Sequence, residues 1–377
     1  MLLPLSRDLA VLRPTLIRQL VDAAPPGAVN LGLGQPMLDP PPALSTALAT
    51  AAFERATYSA NAGIPALREA VAAAHRVDAA QVLVTAGAEQ ALFLAICGTL
   101  EPGQTLLSPA PGFPVYELIA NWRGARSRDY RLMAEDQFRL RAAQVIEELD
   151  GAAAIVLASP ANPTGAMHSE SELRLLLEAL EHRGIPYISD DVYASLGFAG
   201  ECVLPRQLSP NGISIGSLSK SHALMGWRLG WLIASAEWVR GIIPLQQMTL
   251  TCASVPIQRA AVHAFSPQGV ESSRAIAAEL RRRRDLALEF VAELPDVPLP
   301  ASDGGLYLFT DLSAYGSDDV ALAHRFLDGG VIVIPGQAFG PAGKGFVRIS
   351  FGVEEDELRE GFARLKRALG RVSHSQP

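Results

Sequence analysis

The sequence predicts an α/β fold, with a large domain built on a mostly parallel sheet flanked by helices and a smaller α+β domain beside it. Three observations carry this. At 377 residues the chain is too long for one simple core, so a large domain with a companion is expected. Between residues 40 and 275, short apolar or β-branched runs alternate with longer helical patterns, the order that βαβ units impose. Beyond that the alternation stops, and a long helical stretch gives way to a proline-rich turn and strand-like runs.

Taken in order, residues 81–85 read as a strand and 88–98 as the helix that follows it. Residues 154–158 form a strand that leads through "SPANPTG" to a helix over 170–181. Further strands are expected at 186–189 and 213–218, the latter in the run "ISIGSLS" that ends at Lys220. A helix around 271–294 then precedes the turn "LPDVPLPASDGG" and the strand-like "LYLFTDL". A helix, a strand "VIVIP", a strand "FVRISF" and a final helix complete the chain. With the boundary placed inside the long helix, the large domain covers 36–279, and the small one covers 1–35 and 280–377.

Composition narrows the function classes. The chain is 49% hydrophobic and 19% charged, which is globular rather than disordered. A net charge of −7 and a pI near 5.6 argue against nucleic acid or an anionic membrane surface as partner. The basic run at 281–284 lies within a helical pattern and reads as a solvated face. Cys97, Cys202 and Cys252 are odd in number and in no ligand spacing, which implies a reducing compartment and no metal site. Arg7 and Asp8 interrupt the N-terminal apolar run before it could serve as a signal peptide, and no stretch reaches the length of a membrane span. The expected location is the cytoplasm.

In an open parallel sheet, ligands bind beyond the carboxyl ends of the strands. Polar residues gather at those ends here. Thr85 leads into Gly87 and Ala88 at the start of a helix, whose backbone N–H groups suit a phosphate. Asn162 follows one strand, Asp190 and Tyr193 end another, and Lys220 ends a third. Lys220 is conspicuous because only Lys220, Lys344 and Lys366 are lysines among 32 basic residues. Arginine keeps its proton at any ordinary pH, whereas a lysine can release one and act as a nucleophilic amine. Pyridoxal 5'-phosphate needs all of these groups together: an amine for its aldehyde, a carboxylate for its ring nitrogen, donors for its phenolic oxygen, and amides, hydroxyls and a guanidinium for its phosphate.

At this point the chain resembles the class I/II aminotransferases, pyridoxal-phosphate enzymes of fold type I. The resemblance runs in order through "LGLGQP" (31–36), "YSANAGIPALREA" (58–70), "VTAGAEQAL" (84–92) and "SPAPGFPVY" (108–116). It continues through "ANPTG" (161–165), "ISDDVY" (188–193), "SLSKSHALMGWRLGW" (217–231), "GGLYLFTDL" (304–312), "VIVIPGQAFG" (331–340) and "FVRISFG" (346–352). It implies a seven-stranded central sheet. It places Lys220 on the family's Schiff-base lysine, which also shuttles the substrate proton, and Asp190 on the partner of the ring nitrogen. Tyr193 and Asn162 match the donors to the phenolic oxygen, and Phe113 the aromatic stacked on the ring. Gly87, Ala88, Ser217, Ser219 and Arg228 map to the phosphate cup, with Ser217 the better match of the two serines. Arg348 matches the arginine that grips the substrate's α-carboxylate, with Gly34 adding a backbone contact and Asn162 lying close by. Tyr58 matches a tyrosine given to the phosphate of the neighbouring subunit, which implies a homodimer with shared sites.

Asp191 departs from the glutamate usual in the family's "DEVY", and Ala60 from a frequent proline. The implied activity is transfer of an amino group from an L-amino acid to a 2-oxo acid. β-Elimination by a carbon–sulfur lyase, or amino-acid cyclisation, remains open on the same scaffold, since the same residues serve each reaction. A regulator that senses the cofactor would carry a DNA-binding module upstream. The small apolar region "QMTLTCASVPIQ" (247–258) favours a neutral or aromatic substrate side chain.

Overall fold

The computed structural model describes residue 9, residues 13–55 and residues 57–370. Apart from residue 9, the stretch 1–12, on which the signal-peptide reading rests, lies outside the described residues.

After the short β1 (Val29–Asn30), seven strands make the central sheet: β2 (Val82–Thr85), β3 (Thr105–Ala110), β4 (Arg126–Arg131), β5 (Ala152–Ala158), β6 (Tyr187–Asp190), β7 (Gly212–Ser217) and β8 (Gly230–Ile233). Their spatial order is β2-β8-β7-β6-β5-β3-β4. Only β8 runs antiparallel to its neighbours, so the sheet is mixed but mostly parallel. The apolar run "AAAIVLA" of β5 suits a central strand covered on both faces by helices. Those covers include α2 (Ala88–Thr99), α3 (Val115–Trp122), α4 (Glu170–Arg183) and α6 (Ala236–Thr249), while α1 (Leu16–Asp22) precedes the sheet and α5 (Leu218–Ser221) is a single turn after β7.

Register brings the strand ends together. Ala158 pairs with Asp190, and Asp190 with Ile215. Thr85 and Ser217 both pair with Gly230, so the turns after β2 and β7 flank one residue. A Cβ at Gly230 would come within 2.8 Å of the Ala88 nitrogen, so glycine is what lets α2 start that close to β7.

The remaining elements are smaller. After α7 (Pro267–Ala292), the strands β9 (Tyr307–Asp311), β11 (Ile334–Pro335) and β12 (Phe346–Ser350) form an antiparallel sheet in the order β11-β12-β9. β1 pairs in parallel with β10 (Val331–Ile332), and α8 (Asp319–Asp328) and α9 (Glu355–Gly370) pack nearby. Among the described residues no helix is long and apolar enough to cross a membrane.

Three sequence expectations need correction. The strand expected at 213–218, just before Lys220, ends at Ser217, because the Ser217 hydroxyl accepts the Ser219 N–H at 3.0 Å and caps the turn α5 that carries the lysine. "VIVIP" is two short strands, since its first half pairs with β1 and its second with β12. The basic run at 281–284 is not uniformly solvated. Arg283 is 3% exposed, held by Glu279 and Glu354 and by the carbonyls of Met37, Gly352 and Val353. It falls on the same helical stripe as Ile276, Leu280, Ala287 and Val291, all buried.

Candidate active site

A cavity of about 450 Å³ opens beyond the ends of β5, β6 and β7, between the central sheet and β12. Lys220, Asp190, Tyr193, Asn162, Phe113, Ala88, Ser217, Ser219, Arg228, Gly34 and Arg348 all line it.

Lys220 Nζ donates to the carbonyl of Gly34 at 2.5 Å and lies 6.0 Å from the centre of the Tyr193 ring. Burial lowers its pKa to about 8; the positive charges of Arg348 and Arg228 push the same way, and Asp190 opposes them. At neutral pH a useful fraction of this amine is therefore unprotonated. Asp190 is buried at the end of β6 and accepts the Tyr116 hydroxyl at 2.7 Å. Burial raises its pKa, while that hydrogen bond, the Val192 N–H and the charge of Lys220 act against the rise.

Arg348 sits in the middle strand of the small sheet and is 2% exposed. Its guanidinium lies 4.2 Å from the centre of the Tyr307 ring and 4.7 Å from that of Phe339, a sandwich that fixes its plane. Nη1 donates to Asn162 Oδ1 at 2.8 Å and Nη2 to the Gly32 carbonyl, while Nε has no hydrogen-bond partner among the described residues. A Cβ at Gly34 would lie 1.7 Å from the Tyr307 hydroxyl, so only glycine lets the chain pass between that ring and Lys220. The Tyr193 and Tyr307 hydroxyls are 2.9 Å apart.

The opposite end of the cavity is built for an anion. Ala88 opens α2 with Gly87 as its cap, and a Cβ on Gly87 would reach within 2.7 Å of Arg228 Nη2. Backbone and guanidinium thus face one small space at a helix N-terminus. The Ser217 hydroxyl lies 2.8 Å from both Ser219 Oγ and the Leu229 carbonyl. Arg228 is exposed and holds the Met225 carbonyl at 3.0 Å. Phe113 meets Tyr116 edge to face, with ring centres 5.7 Å apart.

Tyr58 stands apart, being 85% exposed and outside the cavity of its own chain. Two contributors escaped the sequence reading. Tyr116 closes "SPAPGFPVY" and Tyr307 lies in "GGLYLFTDL", both quoted segments, yet each acts on a residue 74 or 114 positions away. Nothing local in the sequence marks such a pairing.

The family model for aminotransferase class I and II matches residues 26–365. A probable aspartate/prephenate aminotransferase of Aquifex aeolicus is 32% identical, over 91% of this chain and 91% of its own. An arginine–pyruvate transaminase of Pseudomonas aeruginosa is 33% identical, over 89% of this chain and 88% of its own. Among solved structures, the aspartate aminotransferase of Thermus thermophilus with maleate superposes with a TM-score of 0.90 at 28% identity, covering 97% of this chain and 100% of that one. The architecture is therefore the aspartate aminotransferase-like fold. The chain belongs to the class I and II aminotransferases. It is an aminotransferase, in a family that works with pyridoxal phosphate, and the relatives' names do not favour elimination or cyclisation.

Proposed function

We propose that the cavity holds pyridoxal 5'-phosphate on Lys220 and transfers an amino group from an L-amino acid to a 2-oxo acid. The observation that carries this is the convergence on one cavity of a lysine with a pKa near 8, a buried aspartate and a buried arginine, with an anion cradle at one end. The donor set fits the cofactor. Gly87, Ala88, Ser217, Ser219 and Arg228 would hold its phosphate, Asp190 its ring nitrogen, Tyr193 and Asn162 its phenolic oxygen, and Phe113 would stack on its ring. When bound, the cofactor supplies an electron sink for the pair left by the substrate's Cα–H bond.

The protein's own groups do the rest. Arg348, with its plane fixed by Tyr307 and Phe339, binds the α-carboxylate and orients Cα toward Lys220. The neutral Lys220 amine takes the Cα proton and returns it. Asp190 holds the ring-nitrogen proton, and Tyr116 fixes the carboxylate's direction. We place Tyr58 of the partner subunit at the phosphate of this site, in a homodimer, which accounts for its exposure on the single chain.

Borohydride treatment of the holoenzyme should fix the cofactor's mass on Lys220, read by peptide mass spectrometry. An adduct on Lys344 or Lys366 overturns the assignment. An amino donor alone should yield about one equivalent of 2-oxo acid per site, with further turnover only when an acceptor oxo acid is added. Steady release of ammonia without an acceptor would overturn the transfer reaction.

A further inference from the structure

Five side chains of formal charge line the cavity: Glu89, Asp190, Lys220, Arg228 and Arg348. Under the proposed function, on which any role for the fifth rests, four of them are committed. Lys220 serves the cofactor's aldehyde, Asp190 its ring nitrogen, Arg228 its phosphate, and Arg348 the substrate's α-carboxylate. Glu89 is left over. It lies in the first turn of α2, exposed, and its carboxylate has no hydrogen-bond or ion-pair partner among the described residues.

An acidic residue in a first turn is favoured by the helix dipole alone. Here, however, the same N-terminus faces the anion cradle, so Glu89 would lie near a phosphate. Two anions that close repel one another unless a cation joins them. Elsewhere the cavity wall is apolar, with Ile17, Leu33 and Met225. No cation of this chain remains there for a second substrate carboxylate.

We infer that Glu89 is a specificity-determining residue that selects amino donors whose aliphatic side chain ends in an ammonium or guanidinium group, and disfavours acidic donors. The stem of such a side chain lies along the apolar wall while its charged head reaches the carboxylate. The neutral or aromatic preference read from residues 247–258 gives way to this, because none of those residues lines the cavity.

The test is kcat/KM on the holoenzyme for arginine, ornithine, leucine and aspartate, with pyruvate as acceptor. The wild type should favour arginine or ornithine over aspartate at least tenfold. Glu89→Gln should lower the arginine-to-leucine ratio at least fivefold, and Glu89→Lys should raise the aspartate-to-leucine ratio. The inference is overturned if aspartate is the best wild-type donor, or if both variants change all four donors by one common factor. Cofactor content, read by absorbance, separates two kinds of failure. A wild type that binds no cofactor sinks the functional reading itself, whereas full cofactor with unchanged ratios sinks only the role of Glu89.

Discussion

Adjacent aspartates at the end of β6 face different surroundings. Asp190 accepts the Tyr116 hydroxyl and neighbours Lys220, whereas Asp191 is buried beside the Ser189 hydroxyl. Burial, reinforced by the charge of Asp190, pushes the Asp191 carboxyl up to about 7 against the pull of Ser189. Its folded pKa therefore lies above its unfolded value. The stability this group contributes is complete below about pH 4 and is lost as pH rises through about 7. Asp191→Asn should remove that loss, so its melting temperature relative to wild type should climb between pH 5 and pH 8. The free-energy difference should be at most about 4 kcal/mol. A difference that stays flat across this range would mean that Asp191 is ionised throughout. Lys220 stands out in the sequence because lysine is rare there, and its neighbours stand out through the resemblance. The environment of Asp191 does not, because burial comes from strands that meet only in the folded sheet.

Helix α7 depends on tertiary packing in the same way. Its run of four arginines reads as a solvated face, yet Arg283 shares the buried stripe and ties α7 to the chain at Met37 and at 352–354. Arg283→Ala would take that donor from the Met37 and Val353 carbonyls and should cost about 3 kcal/mol. Arg281→Ala, on the exposed side, should stay within about 0.5 kcal/mol. Chemical denaturation of both variants checks the contrast, and equal losses would contradict it. Elements bounded by clear turn residues, such as β5 and α4, were legible to within two residues at either end. "VIVIP" was not, because an unbroken apolar run says nothing about which strand each half will join. The turn at Lys220 was hidden for a related reason: one serine hydroxyl ends the strand early.

For the whole molecule, the exposed Tyr58 yields a test of subunit sharing. Lys220→Ala should abolish activity, and Tyr58→Phe should weaken cofactor binding. In a hybrid dimer of the two variants, one site combines an intact Lys220 with an intact Tyr58 of the partner subunit, and the other carries both defects. Mixing the variants should therefore restore cofactor affinity to wild type at half the sites of each hybrid dimer. A tyrosine acting within its own chain would leave every hybrid site defective. Subunit exchange followed by cofactor titration distinguishes the two.

The hydrogen bond from Arg348 to Gly32 spans 316 residues of chain, and that from Lys220 to Gly34 spans 186. A ribosome adding 5–20 residues per second needs roughly 15–60 s to cover the longer interval. Throughout that time the early glycine-rich segment has emerged while its guanidinium partner has not been made. The lysine turn arrives in between, so the groove around Arg348, which we propose binds the carboxylate, is the last part of the pocket to close. A nascent chain can thus present its amine well before it can recognise an amino acid.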